Sequence, residues 1–513
     1  MILLSMILLE KMNIKWVVAL LVVVCASAQA ELWMPSIFGD GMVLQADKPV
    51  PVWGEADPGT EVIVEFAGQK KIAVSDSSNH WKITLDPMSV SSNPRKMVVS
   101  SNSNTPTLQY FNLLVGEVWI LSGQSNMGWP LKNCDGGPEA AVTDYPWLKI
   151  FNQWPNHGAC DEPARDVTGG QWVGCTPDQA ARLSGVGFFF AQALQKALPP
   201  DTPVALINTQ MGGTYAECWV DFQTLEKTAG ARPYLDKAAK EIKPGEFDPK
   251  GYWGENNFRR PSGLFNGKVA PLQPMAARGV IWYQGEGNSQ QWLAPGHADT
   301  LAALINSWRT GFEDPQLPFL IVQLPRYGAG PSSDWPAVRA AQAQVARELT
   351  GVELAVTIDL GQKDHIHSSD KQPVGERLSL LARSNVYGQK VKCHGPFFQG
   401  LDLSDSESAF GISQKKRPAG ERQQQGNALL LTFENSQGLQ LKGSAGFEIC
   451  GVDGVWFTAM PEVVGGTVKL SSPEVSDPTG ARYGWFNWGD VSLFNGEGLP
   501  AAPFAMAWQS GDR

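Results

Sequence analysis

The chain predicts an α/β centre flanked by two all-β regions, and three observations carry that prediction. Between about residues 113 and 390, short apolar runs alternate with helical patterns, the texture of a parallel sheet covered by helices on both faces. Before and after that stretch, short alternating runs are separated by Gly, Pro, Asp and Ser clusters, as in antiparallel sandwiches. At the end of the first central strand stands Leu121-Ser122-Gly123-Gln124-Ser125-Asn126-Met127, a Ser among small polar residues. Open α/β sheets place their chemistry at such carboxyl ends.

Residues 1–30 read as a cleaved export signal: Lys11 and Lys15, an apolar run from Trp16 to Ala26, then Ala28-Gln29-Ala30. The expected location is secreted or periplasmic. Val22-Val23-Val24 before Cys25 makes a poor lipobox. No later stretch is long enough to cross a bilayer as a helix, so no integral membrane association is expected. The chain has 513 residues, which suggests about two to four domains.

An N-terminal β-sandwich is expected over residues 31–112, from runs such as Val62–Phe66, Trp81–Leu85 and Met97–Val99. The central domain, residues 113–390, opens with the run Leu113–Ile120. Its further strands are expected at Val204–Ile207, Gly279–Trp282, Phe319–Val322 and Leu354–Ile358, and its helices at Val186–Leu198, Ala298–Arg309, Ala337–Leu349 and Val374–Ala382. A second β-sandwich is expected over residues 391–513, with Ala428–Phe433 and Thr467–Leu470 as strands. Gln423-Gln424-Gln425 reads as a loop.

The chemistry lies in two segments. Ser125 follows a strand, and far downstream Asp364-His365-Ile366-His367 supplies a His with a carboxylate three residues earlier. A Ser hydroxyl becomes a useful nucleophile only when an imidazole takes its proton and a third group orients that imidazole. Met127 stands where the α/β-hydrolase elbow G-x-S-x-G needs its second glycine, and Asp364 and His367 share one short loop, so that fold is excluded. A flavodoxin-like sheet fits better, with Ser125 on the first βα turn and D-x-x-H near the last.

The motifs G-Q-S-N-M, Gly212-Gly213-Thr214, Trp282-Tyr283-Gln284-Gly285-Glu286-Gly287-Asn288 and D-x-x-H resemble, in that order, the sialate O-acetylesterases of the SGNH (GDSL-like) hydrolase superfamily. Phe38–Gln45 and Asn495–Phe504 extend the resemblance to nearly the whole mature chain. It implies a flavodoxin-like SGNH three-layer domain and a serine carboxylic-ester hydrolase acting on O-acetylated sugars. Ser125 would attack the ester, His367 would carry the proton and Asp364 would hold the imidazole. Asp370 is the second candidate acid. The oxyanion would be met by the Ser125 and Gly213 amides and by a side-chain amide, Gln284 first and Asn288 second. Gly212 would let the chain approach the substrate. Glu286 receives no role.

Of 19 tryptophans most should be core, with Trp129 and Trp219, beside the Ser and Gly-Gly motifs, the choices for the sugar site. His365 with His367 could suit a metal, with Asp359, Asp364 or Asp370 nearby, but no third-ligand motif accompanies them. The expectation is therefore no metal and no cofactor. Six cysteines besides Cys25 permit disulfides, Cys160 with Cys175 being the first guess, or free thiols. The net charge of −10 argues against nucleic acid as a partner. An anionic sugar would need a local cation, for which Arg259, Arg260, Arg278 and Arg326 are candidates. Two other readings remain open: an acetyl esterase for another glycan such as xylan or pectin, and a catalytically inactive glycan-binding protein.

Overall fold

The computed structural model describes residues 32–103, 105–153, 158–167, 169–241, 258–403 and 428–507. The expected signal over residues 1–30, Trp154, Trp253 and the Gln423–Gln425 loop lie outside the described residues. The chain divides into two compact units. Of the described residues, the first comprises 32–34, 52–84 and those of 97–109. Its strand Glu61–Phe66 pairs antiparallel with Gln69–Val74 and, on its other side, with residues of Ser91–Ser101. The hairpin turn is Ala67-Gly68, both at positive φ (52° and 81°), the two-residue geometry whose twist matches the strands. Val62, Val64 and Phe66 alternate inward with Glu61 and Glu65 outward, the period of two that one buried sheet face imposes.

The second unit holds the rest of the chain, including a central mixed sheet. Its strands are β1 (Leu108–Gly123, in this unit from Tyr110), β2 (Tyr145–Asn152), β3 (Trp172–Cys175), β4 (Val204–Asn208), β5 (Gly279–Tyr283), β6 (Phe319–Val322) and β7 (Val352–Ala355). They lie in the order β7-β6-β5-β1-β4-β2-β3, all parallel except β3, which runs antiparallel to β2. Every residue of β4, β5 and β6 is buried, which explains their uninterrupted apolar sequences.

Helices cover both faces. Ile281 and Tyr283 of β5 share a core cluster with α2 (Gly185–Gln195) and α5 (Gln372–Leu381). Between them in sequence, Trp282 points the other way, edge-on to Trp219 and to Trp308 of α3 (His297–Gly311). Helix α4 (Trp335–Glu348) packs on α3, and α2 packs on α5. The β-rich C-terminal region forms two four-stranded sheets. One contains Phe397–Leu403, Ala428–Glu434, Thr467–Ser471 and Met460–Val464; the other contains Trp456–Thr458, Phe447–Cys450, Gly480–Tyr483 and Phe504–Ala507. Leu429, Leu431 and Val468 from the first sheet share one apolar cluster with Ile449, Ala481 and Tyr483 from the second. Among the described residues no helix is long and apolar enough to cross a membrane, and all six cysteines, Cys160 and Cys175 included, are free thiols.

Candidate active site

The carboxyl end of β1 lies where strand connections diverge: β4 pairs on one side of β1 and β5 on the other. A crevice opens at such a point because the flanking loops leave in opposite directions. The chain passes it through Gly123 at φ +122°, where a Cβ would lie 2.1 Å from the Tyr283 carbonyl oxygen. Only glycine fits there. Gln124 then donates its N–H to that carbonyl (3.0 Å), and Ser125 opens the one-turn helix α1 (Ser125–Gly128). The Ser125 side chain is half-buried, and its Oγ lies 2.8 Å from His367 Nε2.

His367 is held by stacking. The Trp129 indole lies nearly parallel to its ring, with centroids 4.6 Å apart and planes 14° apart. Burial, Lys371 and His365 all push the His367 pKa below its ordinary 6.5, so the ring is neutral at pH 7 and able to accept a proton. Asp364, expected to orient this ring, is not brought to it. Its carboxylate is exposed and hydrogen-bonds to no described residue. The bend that seats His367 turns Asp364 to solvent, while the next residue, His365, places its Nδ1 2.6 Å from the His367 carbonyl oxygen. Asp370 is engaged elsewhere, accepting from the Ser368 hydroxyl and the Gly361 N–H. Among the described residues no three His, Cys, Asp or Glu side chains are grouped as metal ligands.

Beneath Ser125 lies a buried polar network that sequence reasoning missed. Asn126 donates to Glu286 Oε1 (2.5 Å) and to the Ile366 carbonyl (3.0 Å), and accepts from Lys371 Nζ (2.6 Å). Gly287 N–H donates to Gln124 Oε1 at 3.2 Å. One amide side chain thus ties the Ser loop, the Gln284–Asn288 loop and the His loop together. Burial raises the Glu286 carboxyl pKa and lowers the Lys371 ammonium to about 8, each partly offset by the other's charge. Both Asn126 and Glu286 stood inside the quoted motifs without a role, and Lys371 follows His367 by four residues.

The expected side-chain oxyanion donors are corrected by burial. Gln284 is fully enclosed, and its Nε2 donates to Asn288 Oδ1 (2.7 Å) and the Thr214 carbonyl (3.3 Å). Asn288 is equally enclosed. It accepts from Ala216 N–H (2.9 Å) and donates to both Glu217 oxygens (3.1 and 3.0 Å). These amides brace the turn that follows Gly212-Gly213, and neither has exposed surface. Trp219, expected at the sugar site, has no exposed surface and packs in the Trp282 cluster, because its indole N–H is taken by Thr214 Oγ1.

Gly212 and Gly213 do reach Ser125. A Cβ on Gly212 would stand 3.3 Å from Ser125 Cβ, and Gly213 sits at φ +71°. Among the described residues, the Ser125 and Gly213 N–H groups have no acceptor. Both amides are therefore available to an oxyanion.

The chain is similar to known carbohydrate esterases in sequence and in structure. A family profile described as carbohydrate esterase, sialic acid-specific acetylesterase, matches residues 256–382. The sialate O-acetylesterase of Mus musculus is 30% identical over 422 residues, covering 72% of this chain and 77% of that protein. The Homo sapiens sialate O-acetylesterase is 29% identical over 402 residues, covering 72% and 74%. The crystal structure of a carbohydrate acetylesterase from Xanthomonas citri superimposes with a TM-score of 0.79 at 31% identity, covering 93% of this chain and all of that one.

Proposed function

The chain belongs to the sialate O-acetylesterase family and is a carbohydrate esterase, and on that premise we propose that it releases acetate from O-acetylated sugars through an acyl-Ser125 intermediate. The observation that carries this reading is the 2.8 Å contact between Ser125 Oγ and a neutral His367. Ser125 Oγ attacks the acetyl carbonyl as His367 Nε2 takes its proton. The Ser125 and Gly213 amides meet the oxyanion; one such donor is typically worth about 3–4 kcal/mol. His367 returns the proton to the departing sugar hydroxyl, and water, activated by the same imidazole, then frees acetate. Trp129 keeps the ring in plane, and its π face stabilises the imidazolium that forms at each step.

The same reading takes the sheet as the flavodoxin-like layer of an SGNH hydrolase. Without the edge pair β2–β3, the strands β1, β4, β5, β6 and β7 lie in the order 4-1-5-6-7, which corresponds to the flavodoxin-like 2-1-3-4-5. Export is part of the proposal too, supported by the basic, apolar and Ala-x-Ala pattern of residues 1–30.

The test is acetate release by wild type and Ser125→Ala on 9-O-acetylated sialic acid, acetylated xylan and a small aryl acetate. Activity on the sialoside that disappears in the variant is the expected result. Activity confined to xylan or the aryl acetate would keep the mechanism and reject the substrate. Equal activity in both proteins would reject Ser125 as the nucleophile.

A further inference from the structure

We propose that Asn487, on a loop of the C-terminal region, is a positioning residue for the reaction, an inference that rests on the esterase reading above. Residues 325–335 connect β6 to α4 and leave the sheet at its carboxyl edge, the edge of Ser125. They reach both loops that Asn126 joins from beneath. On one side Gln290 and Ser333 form an antiparallel bridge, Gln291 N–H donates to the Ser332 carbonyl (3.1 Å), and Asp334 N–H donates to the Ser289 carbonyl (2.5 Å). The Ser289 hydroxyl in turn donates to the Glu286 carbonyl at 2.8 Å.

On the other side Arg326 N–H donates to the Leu360 carbonyl (3.2 Å). Gly328 N–H donates to the carbonyl of Lys363 (3.0 Å), four residues before His367. A Cβ on Gly361 would lie 2.1 Å from the Arg326 carbonyl oxygen, so the two segments meet backbone to backbone. One connection therefore braces the Glu286 turn and the approach to His367 together.

That connection includes Gly328, Gly330, Pro331, Ser332 and Ser333, a composition with little stiffness of its own. Asn487 closes it. The Asn487 carbonyl accepts from Tyr327 N–H (2.9 Å), and its Oδ1 accepts from Trp335 N–H (3.2 Å). Its Nδ2 donates to the carbonyls of Ala329 (3.3 Å) and Ser333 (3.2 Å). An asparagine offers this acceptor and these two donors on one short planar group. Asn487 is itself fixed from both flanks. Buried Arg339 of α4 donates to the Phe486 carbonyl (2.7 Å) and to the Asn487 carbonyl (3.4 Å), and Arg326 pairs with Asp490 at 2.6 Å. The C-terminal region is thereby part of the active-site frame and not a detachable module.

The experiment measures kcat, KM and the pH profile on a small aryl acetate for wild type, Asn487→Ala and Val468→Ala, each well below its unfolding midpoint. Val468 is enclosed in the C-terminal apolar cluster, none of whose members belongs to residues 325–335, so its truncation reports general destabilisation of that region. Asn487→Ala should lower kcat roughly ten- to hundredfold with KM nearly unchanged, the scale of a reacting group displaced by about 1 Å. Its acid limb should also move up toward pH 6.5, because burial, Lys371 and His365 hold the His367 pKa down and a loosened loop relieves them. Val468→Ala should show neither change. Asn487→Ser keeps one hydrogen-bonding group and takes the place of Asn487→Ala if that variant does not fold; it should show the same two changes, smaller in size. Wild-type kcat in the folded Asn487 variant, or an equal loss in Val468→Ala with the acid limb unmoved in both, would overturn the proposal and leave the esterase reading intact. Turnover that survives in Ser125→Ala would reject the mechanism and this inference together.

Discussion

Replacing Glu217 by Gln should remove a pH dependence of stability between pH 4.5 and about 7. Glu217 is fully enclosed, and burial pushes its carboxyl from 4.5 up to about 7 against the hydrogen bonds from Asn288 and Thr300. Between those two values the folded chain holds a proton that the unfolded chain has released, so stability falls as pH rises. The contribution is fully present below pH 4.5 and is lost as pH passes 7. The interval corresponds to roughly 3 kcal/mol.

Glutamine has nearly the same shape, can still accept from Asn288 Nδ2, and does not titrate. Urea unfolding of both proteins across this range should therefore show the wild type losing about 3 kcal/mol relative to the variant. The effect concerns function as well, because Glu217 holds Asn288, and Asn288 holds Ala216 and Gln284 around the Gly212-Gly213 turn. Stability curves that run parallel within about 1 kcal/mol would refute the reasoning, since the carboxyl would then titrate alike in both states.

Asn126→Ala leaves the Glu286 carboxyl and the Lys371 ammonium without their shared amide. Breaking such a buried charged network typically costs about 3–5 kcal/mol, read as a lower unfolding midpoint. kcat should fall at least about tenfold at temperatures where the variant stays folded, because the Ile366 carbonyl is released. The acid limb of the kcat/KM profile should lie below pH 6.5, since His367 must be neutral to accept the Ser125 proton and its pKa is lowered. A limb centred above pH 7 would contradict that. Asp364→Asn should cost less than about tenfold, because the carboxylate is exposed and unbonded to His367. A loss near 10⁴-fold, the scale of neutralising a buried triad acid, would show that Asp364 swings onto His367 during turnover.

The central sheet was legible where strands are buried on both faces, because β4, β5 and β6 must then be apolar throughout. The edge pair was not. β2 carries Pro146 and Lys149 and is only half-buried, so its sequence lacks both continuity and clean alternation, and β3 is four residues long. The last strand was expected at Leu354–Ile358 and ends instead at Ala355. Thr357 turns its hydroxyl onto the Gln323 carbonyl (2.5 Å), and the chain leaves the sheet toward the His loop.

The site divides in the same way. Ser125, His367, Gly212, Gly213 and Trp129 could be placed from their local motifs, and the structure gathers them at one strand end. Gln284, Asn288 and Trp219 were misplaced because a polar or aromatic residue beside a motif reads the same whether it faces solvent or the interior. Their burial is decided by partners far away in sequence. The Asn126 contacts span 160, 240 and 245 residues, so no window of sequence contains them. Their consequence is mechanical. Ser125 and His367 sit on neighbouring loops hung from a single amide, the side chain of Asn126 directly after Ser125. A substitution that moves Asn126 should therefore move both residues, whereas one at the exposed Asp364 should move neither. On the proposed mechanism, the Ser125–His367 distance is set in the buried layer beneath the site, not by the exposed carboxylate of the D-x-x-H motif.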